Sequence, residues 1–191
     1  MKQTFLLATF MVFAVAGFAR SSSSPGKNYT DTTSNTVAIP DAQQLLADIL
    51  RISGIGIQSN FELKEAKVLN LEATISHRKR YILYNPAYIA QLNAINHTKW
   101  ATMVLIAHEV GHHLNGHTRN KGGSTPALEL EADEFAGFVM YKLGASLWQS
   151  QEVMQYIAKP AATSTHPGRN DRLQAIAKGW NKAADTYKVK L

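Results

Sequence analysis

The sequence predicts an α+β fold, a helix-rich body carrying one small antiparallel sheet. Three observations lead there. Apolar residues recur at helical spacing through most of the chain beyond residue 86. Three short extended runs lie between residues 57 and 84, and Gly, Pro, Ser, Thr or Asn marks the ends of most runs. Short strands that follow one another closely favour a meander, hence the antiparallel expectation.

Composition narrows the chemistry. The chain has 191 residues, 45% apolar and 18% charged, which suits one globular domain with an ordinary core. It contains no cysteine. Disulfides, thiolate ligands and a cysteine nucleophile are excluded, so any metal is held by His, Asp or Glu. The formal charge is +6, yet the basic residues are spread out and Arg78-Lys79-Arg80 is the one local cluster. No aromatic stacking pattern interleaves with it, so nucleic acid is not an expected partner.

In chain order, residues 1–19 read as a secretory signal. Lys2 is basic, Phe5 to Phe18 is nearly all apolar, and Gly17-Phe18-Ala19 carries small residues where a signal peptidase cuts. The run is shorter than the roughly 20 residues of a spanning helix, although an uncleaved anchor is the alternative. No cysteine is present to carry a lipid. Residues 20–39, rich in Ser, Thr and Asn, read as a flexible leader, and residues 40–191 as the folded domain. Export to the periplasm or the extracellular space follows, with no integral membrane segment once the signal is removed.

Within the domain, Leu45, Leu46, Ile49, Leu50 and Ile52 fall at helical spacing, and Ser53-Gly54-Ile55-Gly56 ends that helix. Ile57, Ser59, Phe61 and Leu63 alternate with polar residues, Val68 to Ile75 does so less strictly, and Arg80 to Tyr84 is a compact extended run. Asn85-Pro86 stops the last strand and starts a helix through Tyr88, Ile89 and Leu92. Thr98 caps a helix from Lys99 to about Leu114, which Asn115-Gly116 stops. Lys121 to Ser124 is a loop. Thr125-Pro126 begins a helix with apolar residues at Leu128, Ala132, Phe135, Val139 and Leu143, and Gly144 terminates it. A shorter helix spans Trp148 to Ile157, and after Pro160 to Gly168 a last helix carries Leu173, Ile176 and Ala177.

Two of these helices carry chemistry. In His108-Glu109-Val110-Gly111-His112 the histidines stand at i and i+4, one turn apart on one face, so both imidazoles can reach one metal ion. Glu109 projects toward the position of a water on that metal, where a base is useful. A catalytic zinc needs a third protein ligand and an open position. Glu129 and Asp133 share a face of the next helix, so Glu129 can ligate while Asp133 receives the other ring N–H of a histidine ligand. Glu131 points elsewhere and reads as a surface charge.

These residues, with His117 five positions after His112, resemble the gluzincin zinc metallopeptidases of the HtpX and CAAX-prenyl-protease type. That family's third ligand is the first Glu of a Glu-x-x-Ala-Asp stretch, which maps onto Glu129. Its late Thr-His-Pro followed by an arginine matches Thr165-His166-Pro167 with Arg172. The resemblance spans about residues 80 to 176 and implies a zincin-like domain with one zinc ion per chain. Familiar members carry membrane helices around the site. This sequence offers none, so it resembles a small soluble, exported branch, and prenylated substrates do not carry over. A metzincin is set aside because Thr118 stands where a third histidine belongs. The Glu-Ala-Asp-Glu-Phe-Ala segment is similar also to small HExxH metallopeptidases that cleave transcriptional regulators, an alternative reading over which the signal and the Thr-His-Pro segment favour the first family.

The implied function is zinc-dependent hydrolysis of a peptide or protein substrate, with Glu109 as general base. The resemblance puts His166 or Arg172 near the oxyanion; alternatively His166 caps a loop and Arg172 pairs with an acid on the helix. His113, His117, His77 and His97 read as structural or surface residues. Arg80 to Asn85, just upstream of the metal helix, is the expected strand edge for aligning substrate. An inactive metal-binding scaffold on the same fold is the rival reading, but its usual sign, loss of the base, is not seen. His₂Glu also accepts cobalt or manganese. Substrate preference and oligomeric state have no sequence signal.

Overall fold

The computed structural model describes residues 39–56, 60–96, 100–119 and 122–188. The expected signal and all of the expected leader but Ile39 lie outside the described residues, as do Ile57, Ser59, His97, Thr98, Lys99 and Lys121. In order come α1 (Ile39–Ile52), β1 (Phe61–Glu65), β2 (Leu71–Ser76), β3 (Lys79–Tyr84), α2 (Pro86–Asn96) and α3 (Trp100–Leu114). A single 3-10 turn (His117–Arg119) follows, then α4 (Pro126–Lys142), α5 (Leu147–Ile157) and α6 (Arg169–Lys188). The class is α+β. Among the described residues no helix is long and apolar enough to cross a membrane.

Local chemistry explains the boundaries. Gly54 takes φ 76° after α1, and the Ile55 N–H closes back on the Leu50 carbonyl at 2.9 Å. Asn85 accepts the Ala87 N–H at 3.0 Å and so caps α2, whose first residue is Pro86. Thr125 caps α4, which begins at Pro126 and stops before Gly144 at φ 88°. Ser146 and Gln149 form a reciprocal capping box at the start of α5.

The sheet corrects the antiparallel meander. Its order is β1-β3-β2, with β2 antiparallel and β1 parallel to β3. His77 and Arg78, at φ 49° and 62°, make the two-residue turn whose twist suits a hairpin, and that turn pairs β2 with β3. β1 lies on the other side of β3, so the chain from β1 to β2 must pass over the end of the middle strand. Asn85 ties that passage down: its side chain donates to the Val68 carbonyl at 3.0 Å and its N–H to the Asn70 carbonyl at 2.8 Å. Alternation of apolar residues tells which face is buried and says nothing about which edge a strand joins.

α3 is the centre of the molecule. Ala101 through His113 are all buried, because the helix packs on α4 and α5, on α1 and α2, and on β2 and β3. A helix apolar around most of its circumference needs such enclosure. Its last two turns, which carry the histidines, are clamped between the sheet and α4. His113 donates from Nε2 to the Tyr81 carbonyl at 2.9 Å and meets Phe61 edge-on at 5.2 Å, fixing α3 to the strands.

Candidate metal centre

Gly111 explains how the two halves of the centre come together. A methyl group there would stand 3.1 Å from Phe135 and 3.2 Å from the Ala132 backbone. With hydrogen in its place, α4 comes close to α3 at Ala132, and the flanking Glu129 and Asp133 reach the two histidines. His108, His112 and Glu129 then offer ligand atoms that all lie within 4.8 Å of one another, and all three residues are buried. The group can hold a metal ion.

The proton assignments fit a cation. His108 Nδ1 lies 2.8 Å from Asp133 Oδ1, and a carboxylate accepts, so Nδ1 carries the proton. Nε2 then offers its lone pair toward His112 Nε2, only 3.0 Å away. Glu129 closes the third side, with Oε2 at 3.4 Å from His108 Nε2 and Oε1 at 3.5 Å from His112 Nε2. Ser124 Oγ donates to Glu129 Oε1 and steadies it. Two nitrogens and one oxygen converging around one point, with no thiolate, make a donor set suited to zinc.

Burial raises the cost of every charge here, and pairing decides which survive. Burial alone would raise the Asp133 carboxyl, but Arg172 and His108 hold it below its usual range. Arg172, itself 2% exposed, donates from Nε and Nη2 to the two Asp133 oxygens at 2.7 and 2.8 Å. Glu129 would likewise rise on burial, yet the imidazoles of His108 and His112 beside it hold it well down. His108 would fall on burial, and Asp133 and Glu129 instead push it up to about 9. The two carboxylates therefore favour positive charge at His108.

Glu109 stands apart from this pairing. It is buried, which raises its pKa, and it accepts a backbone hydrogen bond from Ala73 of β2. Its Oε2 accepts no hydrogen bond among the described residues. His166 comes to the same place from the loop before α6, with Nε2 3.9 Å from Glu129 Oε2. Burial lowers its pKa. Arg172 takes the alternative left open by the sequence: it pairs with an acid of α4, and its Nη2 stays 3.8 Å from Glu129 Oε2.

One expectation gains a partner and another needs correction. Glu131 is a surface charge as expected, its side chain 59% exposed. Its Oε2 meets His117 Nε2 at 3.1 Å, and the buried His117 Nδ1 meets His112 Nδ1 at 3.0 Å. The spacing of His117 was a visible signal; its partner was not. The Arg80–Asn85 segment, expected to be the strand edge that aligns substrate, is no open edge, since β3 is paired on both sides. The antiparallel register leaves the backbone of Leu71, Ala73 and Ile75 turned to the outer side of β2, the side on which Glu109 takes its bond from Ala73.

The fold and centre thus define an α+β protein with a buried His–His–Glu group able to hold a metal ion. No family model, curated protein or solved structure matches the chain. Its resemblance to gluzincins rests on the motifs alone.

Proposed function

We propose that the chain is a zinc-dependent endopeptidase of gluzincin type. The observation that carries this reading is Glu109. A buried carboxylate with one oxygen uncommitted, next in sequence to His108, is costly to fold and is useful as a base. His108, His112 and Glu129 would hold a zinc ion, whose Lewis acidity would acidify a water and polarise a scissile carbonyl.

The chain's own residues do the rest. Glu109 takes the proton of the attacking water and returns it to the leaving amine nitrogen. His166 is the donor for the negative charge that grows on the former carbonyl oxygen. Asp133, itself held by Arg172, keeps His108 in the tautomer that leaves Nε2 for the metal. An extended peptide added along the outer side of β2 would run past Glu109, pairing with the backbone of Leu71 and Ile75 and with the carbonyl of Ala73, whose N–H Glu109 holds.

Glu109→Gln tests the reading. Zinc content measured on purified protein should stay near one per chain, while hydrolysis of an unfolded protein substrate should fall by at least about a thousandfold. Equal hydrolysis by the two proteins would sink the mechanism. A zinc-free wild type after zinc loading would sink the metal centre with it.

A further inference from the structure

The two histidines of the centre are held from behind in different ways. His108 leans on Asp133, a carboxylate wholly buried and forked by Arg172. His112 leans on another imidazole, His117, and only through it on a carboxylate, the largely exposed Glu131. The path leads from the centre of the molecule to its surface in two hydrogen bonds.

Proton counting decides what that path does. A neutral imidazole carries one N–H, on either nitrogen. A carboxylate only accepts, so Glu131 requires the proton of His117 on Nε2. His117 Nδ1 is then a lone pair, and the Nδ1 of His112 that faces it at 3.0 Å must be the donor. With its proton on Nδ1, His112 has no choice but to offer Nε2 as a lone pair to the metal. The opposite assignment would set the His117 Nε2 lone pair against the Glu131 carboxylate. We propose that Glu131 and His117 are positioning residues which select the metal-ready tautomer of His112, with the selection made at the protein surface. This rests on the reading of His108, His112 and Glu129 as a metal site, and it assigns work to two residues outside that group.

The geometry around the path supports the assignment. Gly116, at φ 78°, turns the chain after α3 so that the 3-10 turn folds His117 back under His112, where their rings meet edge-on at 5.1 Å. Glu131 sits two residues beyond Glu129 on α4, so the same helix that brings the third ligand brings the tautomer selector. α3 and α4 are thus joined twice, once through the ligand group and once behind it.

The test is zinc affinity by chelator competition, with the cobalt absorption spectrum as a second readout and circular dichroism as the check on folding. Replacing a group of this kind behind a ligand lowers metal affinity by about 10- to 100-fold. His117→Ala should fall in that range and shift the cobalt bands. His117→Gln, whose side-chain carbonyl can accept from His112 Nδ1, should recover part of the loss. Glu131→Gln keeps the shape, but its amide can donate as well as accept, so it should weaken zinc by about tenfold at unchanged melting temperature in chelator. Its exposure makes misfolding no obstacle. Wild-type zinc affinity in folded His117→Ala and Glu131→Gln overturns the proposal and leaves the metal site standing. A wild type that binds no zinc overturns both.

Discussion

Arg172 reaches the centre from the first turn of α6 and is buried there with Asp133 and Glu129, so one cation faces two carboxylates. Removing one partner of a buried pair leaves the other charged and unsolvated, at about 3–5 kcal/mol. Arg172→Ala should therefore lower the melting temperature of metal-free protein by roughly 6–20 °C. Arg172→Lys, which keeps the charge and loses the fork, should lose less. Unchanged melting in Arg172→Ala by calorimetry would mean that Asp133 needs no guanidinium. His113 gives a pH-dependent counterpart. Burial lowers its pKa from 6.5 to about 4, so the folded chain refuses a proton that the unfolded chain accepts. Stability from this group is complete above pH 6.5 and is lost as pH falls toward about 4. His113→Gln can still donate to the Tyr81 carbonyl and has nothing to titrate. Denaturant titrations in chelator should show wild type losing more stability than His113→Gln across that window, and parallel losses would refute the assignment.

Helix and strand contacts hold these side chains in place, and two of them make predictions of opposite sign. α4 and α6 approach through glycines on both sides: a methyl group on Gly137 would stand 2.0 Å from the Ile176 carbonyl oxygen, and one on Gly179 1.8 Å from that of Glu134. Backbone cannot move aside as a side chain can. Gly179→Ala should destabilise by about 3 kcal/mol, the upper end for overpacking, and loosen Arg172 with α6. The β2–β3 turn runs the other way, since His77 and Arg78 occupy left-handed conformations that neither residue prefers. His77→Asn with Arg78→Gly should raise the melting point by a few degrees, about 1 kcal/mol; a lower one would show that those side chains stabilise the turn. The same contrast explains what was legible in the sequence. Helix caps and the i, i+4 pairs are local, so Thr125, Gly144, the pairing of His108 with His112 and the shared face of Glu129 and Asp133 could be read directly. The place of β1 beside β3, the pairing of Arg172 and the reach of Glu131 to His117 depend on how distant segments fold back. No spacing along the chain encodes those.

At the scale of the whole molecule, the candidate centre is a clasp between its parts. α3 contributes His108 and His112, α4 contributes Glu129 and Asp133, α6 contributes Arg172, and β2 reaches Glu109 through Ala73. A cation bound at such a junction stabilises only the folded arrangement, because the unfolded chain does not bring these groups together. Stability should then rise with free zinc as RT ln(1 + [Zn]/Kd), about 2.7 kcal/mol at a hundredfold excess over Kd. For a chain of this size that corresponds to a melting temperature higher by roughly 5–10 °C, and chelator should reverse it. Glu129→Ala supplies the control. With one ligand gone its melting temperature should lie flat across the same zinc series, whatever its value in chelator. If wild type and Glu129→Ala shifted alike, the ion would be acting elsewhere on the surface, and the clasp would have to be drawn without metal.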